Sequence, residues 1–243
     1  DISPLANLTN LVTLDLHNNQ ISDISPLANL TNLDWLSLSS NQISDISPLD
    51  NLTNLRHLSI VDNQINYIPP LTNLPTLQRL YLRSNQISDI SGAANLTSLV
   101  ILDLHNNEIS DISPLANLTS LTTLTLNDNQ ISDISPLVNL TILWNLDLSN
   151  NQISDISILT YLTHLGYLYL DSNQISDISP TANLTLLRNL ALGYNQISNI
   201  APLVDNEGLG EGDEVSLNDN PLSDGSINIY IPQLEARGVT VDY

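Results

Sequence analysis

Along almost the whole chain, aliphatic side chains fall in one order. L-x-x-L-x-L comes first, then a short polar interval ending in Asn, then I-x-x-I-x-x-L-x-x-L before the order begins again. Leu14, Leu36, Leu58, Leu80, Leu102, Leu124, Leu146, Leu168 and Leu190 are spaced by 22 residues, and so are Asn19, Asn41, Asn63, Asn85, Asn107, Asn129, Asn151, Asn173 and Asn195. A repeat of 20–50 residues decides architecture before any local propensity does. The stretch L-x-x-L-x-L alternates apolar and variable positions, as a half-buried strand does. In the second repeat this points Leu36 and Leu38 inward and Trp35, Ser37 and Ser39 outward, with the turn at Asn41. Ile43, Ile46, Leu49 and Leu52 then carry the core along the returning side, where Pro48 opens a short helical turn that uses its fixed φ. One such unit leaves both of its flat sides uncovered, so the units must stack to fold. The pattern predicts an α/β fold: a leucine-rich repeat right-handed solenoid with a parallel concave sheet, a short 3-10 or irregular convex side and a C-terminal cap.

Two polar columns run through the repeat. The Asn side chain carries donors and an acceptor, so stacked Asn residues form a ladder serving backbone groups buried at the turn. The second column is the Asp of "SDIS": Asp1, Asp23, Asp45, Asp89, Asp111, Asp133, Asp155 and Asp177. It reads as a turn residue capping nearby N–H groups. A cation-binding stripe is the competing reading, disfavoured because a column offers one ligand per repeat where calcium takes six to eight oxygens. Asn-Leu-Thr occurs at Asn7, Asn29, Asn51, Asn95, Asn117, Asn139 and Asn183; formally these are glycosylation sequons, and their fixed place makes them turn residues first.

The wording "LTNLxxLxLxxNQISDISPLANLTNL" closely resembles the repeats of bacterial internalin-like proteins, from Asp1 to about Leu203. "GLGEGDEVSLNDNPLSDGSINIYIPQLEARGVTVDY" resembles the closing segment of bacterial surface leucine-rich repeat proteins. There Val215, Leu217, Asn220 and Leu222 make a tenth unit after a three-residue insertion. The domains expected are residues 1–222, about ten repeats with the first truncated at its start, and 223–243, a cap of helix plus short strand. Ile227, Ile231 and Leu234, at i, i+4 and i+7, are the helix face expected to cover the core, with Gly238 as its stop. The resemblance implies an extracellular or cell-surface bacterial protein, adhesin-like, binding a protein ligand through the concave sheet. The family's N-terminal helical cap is not seen, since the chain opens with "DISPLANLTN", halfway through a repeat. An uncapped edge strand is a template for pairing, which predicts end-to-end self-association there.

Composition narrows the partners. Twenty-six acidic residues face five arginines and no lysine, a net charge of −21. That argues against nucleic acid and anionic membrane surfaces. No apolar run is long enough for membrane insertion, and cysteine is absent. The rare residues gather on the variable strand positions. A first patch comprises Trp35, His57, Arg79, Tyr81, Arg83, Ile101 and His105; a second comprises Trp144, Tyr167, Tyr169, Arg188 and Tyr194. Trp, Tyr and Arg dominate binding hot spots, although strand propensity alone also favours exposed aromatics. Catalysis lacks a constellation. Asp15/His17 and Asp103/His105 are four strands apart, about 19 Å, and two ligands make a poor zinc site. No nucleophile–base pair is evident, and "GLGEGDE" has the wrong sign for phosphate. The reading is therefore a non-enzymatic protein-binding module with no catalytic residues, cofactor or metal. A passive spacer segment of a larger surface protein, a carbohydrate-binding face and an engineered consensus-like scaffold remain as alternatives.

Overall fold

A computed structural model describes residues 1–243 and divides into two compact units, Asp1–Leu121 and Thr122–Tyr243. In the first, strands β1 (Thr13–Asp15), β2 (Trp35–Ser37), β3 (His57–Ser59), β4 (Arg79–Tyr81) and β5 (Ile101–Asp103) pair in parallel, each with the next. Register is in phase, Leu36 opposite Leu58 and Leu58 opposite Leu80, because every repeat has the same length. The second unit holds β6 (Thr123–Thr125), β7 (Asn145–Asp147), β8 (Tyr167–Tyr169), β9 (Asn189–Ala191), β10 (Glu214–Ser216) and β11 (Thr240–Asp242), again parallel and in chain order. Short 3-10 turns such as Ser47–Asn51 and Ser135–Asn139 carry the return path. This is the leucine-rich repeat solenoid expected from the period.

The seven aliphatics of the second repeat, from Leu33 to Leu52, are all buried. Burial of each contributes roughly 1.5–3 kcal/mol, which makes the repeated columns the main source of stability. The Asn column lies beside them. Asn63 Oδ1 accepts from the Ile43 N–H at 2.9 Å, and its Nδ2 donates to the Leu38 carbonyl at 3.1 Å. Asn63 therefore ties its own turn to the preceding repeat, as Asn41, Asn85, Asn151, Asn173 and Asn195 also do. The Asp column caps: the N–H groups of Ser25, Ser47, Ser113 and Ser135 each donate to the Asp two residues earlier at 2.8 Å.

Three details differ from the sequence expectation. The chain turns one residue before the Asn column, at Asn18, Ser40, Asp62 and their equivalents, where φ is positive. The short polar side chains usual there tolerate the left-handed region better than most. Ser39 is not a free exposed residue: its hydroxyl lies 2.8 Å from that of Ser59 and accepts from the Val61 N–H at 3.3 Å. Near the C-terminus, Ile227 is 36% exposed and does not share a face with Ile231 and Leu234. The backbone at Ser226–Tyr230 is a π-turn, leading into helix α1 (Ile231–Glu235), so Ser226 rather than Ile227 is buried ahead of Ile231. The extra residue per turn shifts the face that a 3.6-residue period assumes.

The third repeat departs from the others as a coupled set. Pro69 stands where Ser47 and Ser91 do, and having no N–H it needs no Asp cap; Tyr67 occupies the Asp position. No 3-10 turn forms there. The backbone instead runs close to the next repeat, where Gly92 replaces the usual proline. A Cβ at Gly92 would lie 2.1 Å from the Pro69 carbonyl oxygen and 2.3 Å from that of Ile68.

Candidate partner-binding surface

Odd-numbered positions of β2, β3 and β4 face away from the leucine core, so aromatic residues placed there stand side by side. The Trp35 and His57 rings are 6.1 Å apart and tilted, and His57 and Tyr81 are stacked at 5.4 Å. The parallel register creates this row, with Trp35 opposite His57 and Tyr81 one column across from it. Smaller residues, Ser37, Ser59 and Val61, form the floor of a hollow of about 370 Å³ walled by Trp35, His57, Tyr81 and Arg83. Burial, then the charge of Arg79, lowers the pKa of His57, with Asp34 opposing, which favours the neutral ring. The stacked row is therefore an apolar, polarisable surface.

The remaining residues of the first patch, Arg79, Ile101 and His105, lie at neighbouring positions and do not line this hollow. Ile101 is opposite Arg79 in register and half-buried. Asp103 reaches the hollow, and its carboxylate accepts from the His105 N–H at 3.2 Å, with His105 Nδ1 3.6 Å away. The sequence reading singled out the aromatics but not Ser37, Ser59 and Val61. Small side chains give no signal of their own, and the hollow exists only because larger neighbours rise around them.

The second cluster is less unified. Trp144 and Tyr167 meet edge to face at 5.8 Å, and the Trp144 ring lies over Gly166, where an added Cβ would approach it to 2.5 Å. Burial is the main cause that raises the Tyr169 pKa. Arg188, however, is bound to the buried carboxylate of Asp213 at 3.0 Å, and this carboxylate also accepts from the Gly210 N–H at 2.9 Å. That arginine holds the approach to β10 together. Tyr194 is not on the strand face: it occupies the positive-φ turn position and its hydroxyl is hydrogen-bonded to Asp219, which raises its pKa.

Asp171 is half-buried beside these residues, and Gly193 N–H donates to its Oδ1 at 2.9 Å. Burial raises its pKa above the ordinary carboxylate value, with Asp147 adding to the rise and the Gly193 bond opposing it. The folded state thus holds the proton more tightly than the unfolded one. The stability this group supplies is full below the unfolded pKa and is lost as pH rises through the folded one. Asp171→Asn keeps the acceptor without the charge. It should raise the urea midpoint at about pH 7, with the gain disappearing near about pH 3, below the ordinary Asp value. An equal gain at both pH values would exclude this charge effect.

No group of three or more His, Asp or Glu side chains is arranged to hold a metal ion, and no helix is long and apolar enough to cross a membrane. The fold and its repeated columns define the class, and the comparisons agree. The family model described as leucine-rich repeats (two copies) matches residues 1–29, 31–74, 75–117 and 145–180. An internalin (inlF) from Listeria monocytogenes is 41% identical with a TM-score of 0.92, covering 100% of this chain and 70% of that one. An internalin C2 from the same organism is 36% identical with a TM-score of 0.63, covering 84% and 80%. A leucine-rich repeat protein from Leptospira interrogans is 26% identical with a TM-score of 0.91, covering 99% of this chain and 62% of that one. No curated protein matches the sequence. The chain belongs to the leucine-rich repeat family and, within it, to the internalin-like bacterial proteins.

Proposed function

We propose that this chain is a non-catalytic protein-binding module that works outside the bacterial cell or on its surface and recognises its partner through the exposed face of the sheet. The observation that carries the reading is the row Trp35–His57–Tyr81 beside a hollow floored by small residues. An aromatic row on a rigid strand scaffold loses little ordering entropy when a partner docks. Its residue types are those that dominate binding hot spots. The binding set is Trp35, His57, Arg79, Tyr81, Arg83, Ile101 and His105, with Trp144, Tyr167 and Tyr169 as a second contact region. Arg188 belongs to the scaffold, since it is committed to Asp213. In this reading residues 1–222 form the solenoid and residues 223–243 close its end as a cap, where Ile231, Leu234 and Val239 are buried.

The test is a titration of wild type and variants against a partner recovered by pull-down. Trp35→Ala and Tyr81→Ala should each weaken binding by ~2 kcal/mol or more, the scale of hot-spot residues. Asp133→Asn, at a capping position away from the sheet face, should leave affinity unchanged. Equal affinity for wild type and the Trp35/Tyr81 double variant would move the site to the Trp144–Tyr167 pair.

A further inference from the structure

The five arginines are not equivalent. Arg56 lies 3.4 Å from Asp34 and Arg188 lies 3.0 Å from Asp213. Arg237 donates to the Val204 carbonyl at 2.7 Å and to the Asn206 carbonyl at 3.2 Å. Arg79 and Arg83 have no carboxylate within ion-pair distance and no side-chain hydrogen bond, although the chain carries twenty-six acidic residues. Both are exposed and lie on the same face of one strand path, at the first residue of β4 and four residues later, with Tyr81 midway between them. At ~3.3 Å per residue the two backbones are about 13 Å apart. A guanidinium presents a planar fork of donors that matches a carboxylate, and here two such forks flank an aromatic ring.

We propose that this strand reads an extended acidic segment of a partner protein, with carboxylates at two positions four residues apart and an apolar side chain midway. The carboxylates pair with Arg79 and Arg83, and the apolar side chain rests on Tyr81 and enters the hollow beside His57. The proposal rests on the exposed face being the protein-binding surface and names the chemistry that this face selects. Charge complementarity commits it to a short acidic segment. A long polyanion such as heparin or duplex DNA would meet the field of a chain with net charge −21, whereas a short segment needs only the local positive strip. Neutral and basic segments would leave the two forks unpaired or repelled.

A phage-displayed random dodecapeptide library panned on the wild-type chain tests this, with circular dichroism confirming that each variant is folded. Enriched peptides should carry Asp or Glu on both sides of an apolar residue at two-residue spacing. In titrations of a synthetic enriched peptide, Arg79→Gln with Arg83→Gln should weaken binding about tenfold or more, on the scale of desolvated charge pairs. Changing the peptide's two acids to amides should cause a similar loss in wild type and little further loss in the double arginine variant, the signature of direct coupling. Enrichment of neutral or basic peptides, no enrichment over displayed controls, capture of heparin or DNA instead, or additive losses would each overturn it. If Trp35→Ala with Tyr81→Ala abolishes binding while the arginine variant does not, only the acidic specificity fails. If neither pair of changes affects an enriched peptide, the exposed-face reading itself fails.

Discussion

Alanine at position 92 is expected to destabilise the first unit by ~3 kcal/mol or more, although it adds a single methyl group. The added Cβ would sit 2.1 Å from the Pro69 carbonyl oxygen and 2.3 Å from that of Ile68, and both obstacles are backbone. A flexible side chain could turn aside, but this backbone is anchored by buried Ile68 and Leu71 and by the Ile68 N–H donating to the Asp89 carbonyl at 2.9 Å. Urea denaturation of Gly92→Ala against Gly210→Ala checks the claim, because an added Cβ at Gly210 meets nothing closer than 3.9 Å. Equal losses at the two glycines would mean the third repeat yields easily. The cause can also be isolated. Restoring the common residue by Pro69→Ser frees that segment to form the usual turn, so Gly92→Ala should cost less in that background than alone.

That pair shows where sequence reading stops. The 22-residue period placed the buried leucines of the regular repeats, and the strands followed from alternation within L-x-x-L-x-L, because a strict period leaves one way to stack; buried Leu209 and Leu234 lie outside it. The Asp column was legible too, since an acid two residues before a Ser N–H has one local use. Pro69 and Gly92 stand as two separate lapses from the repeat, 23 positions apart, and their dependence lies in a backbone path that neither residue announces. Ile227 failed for a related reason: its helical spacing was sound, and a π-turn moved it off the buried face. On the exposed strand face the aromatics were legible because rare residues collected on one set of strand positions. Which arginines were free was not legible. Arg56 and Arg83 look alike as letters, and only side-chain placement shows that Asp34 meets the first while no carboxylate meets the second.

Replacing Asn173 by alanine should cost ~3 kcal/mol, since several buried backbone groups lose their partner at ~1–3 kcal/mol each. Its Oδ1 accepts from the Ile153 N–H at 3.0 Å, and its Nδ2 donates to the carbonyls of Leu148 at 3.0 Å, Leu170 at 3.1 Å and Asp171 at 3.2 Å. Alanine keeps none of these bonds, and the fixed stacking of the repeats prevents Ile153 and Leu148 from turning to water. Gln174→Ala, at the neighbouring exposed side chain, keeps the backbone bond to Ile153 and should be near neutral in the same urea titration. Asn173→Asp separates donor loss from cavity formation. Its carboxylate still accepts from Ile153, but when ionised it faces three carbonyl oxygens in a buried site, which raises its folded-state pKa. A raised pKa means that stability is greatest below the unfolded value and falls as pH rises through the folded one, so the Asp variant should weaken steeply toward neutral pH. The alanine variant has no such group, and its loss relative to wild type should stay level across the same range. A level profile for the Asp variant would show that the amide donors at this position do not carry the carbonyls of the adjoining repeats.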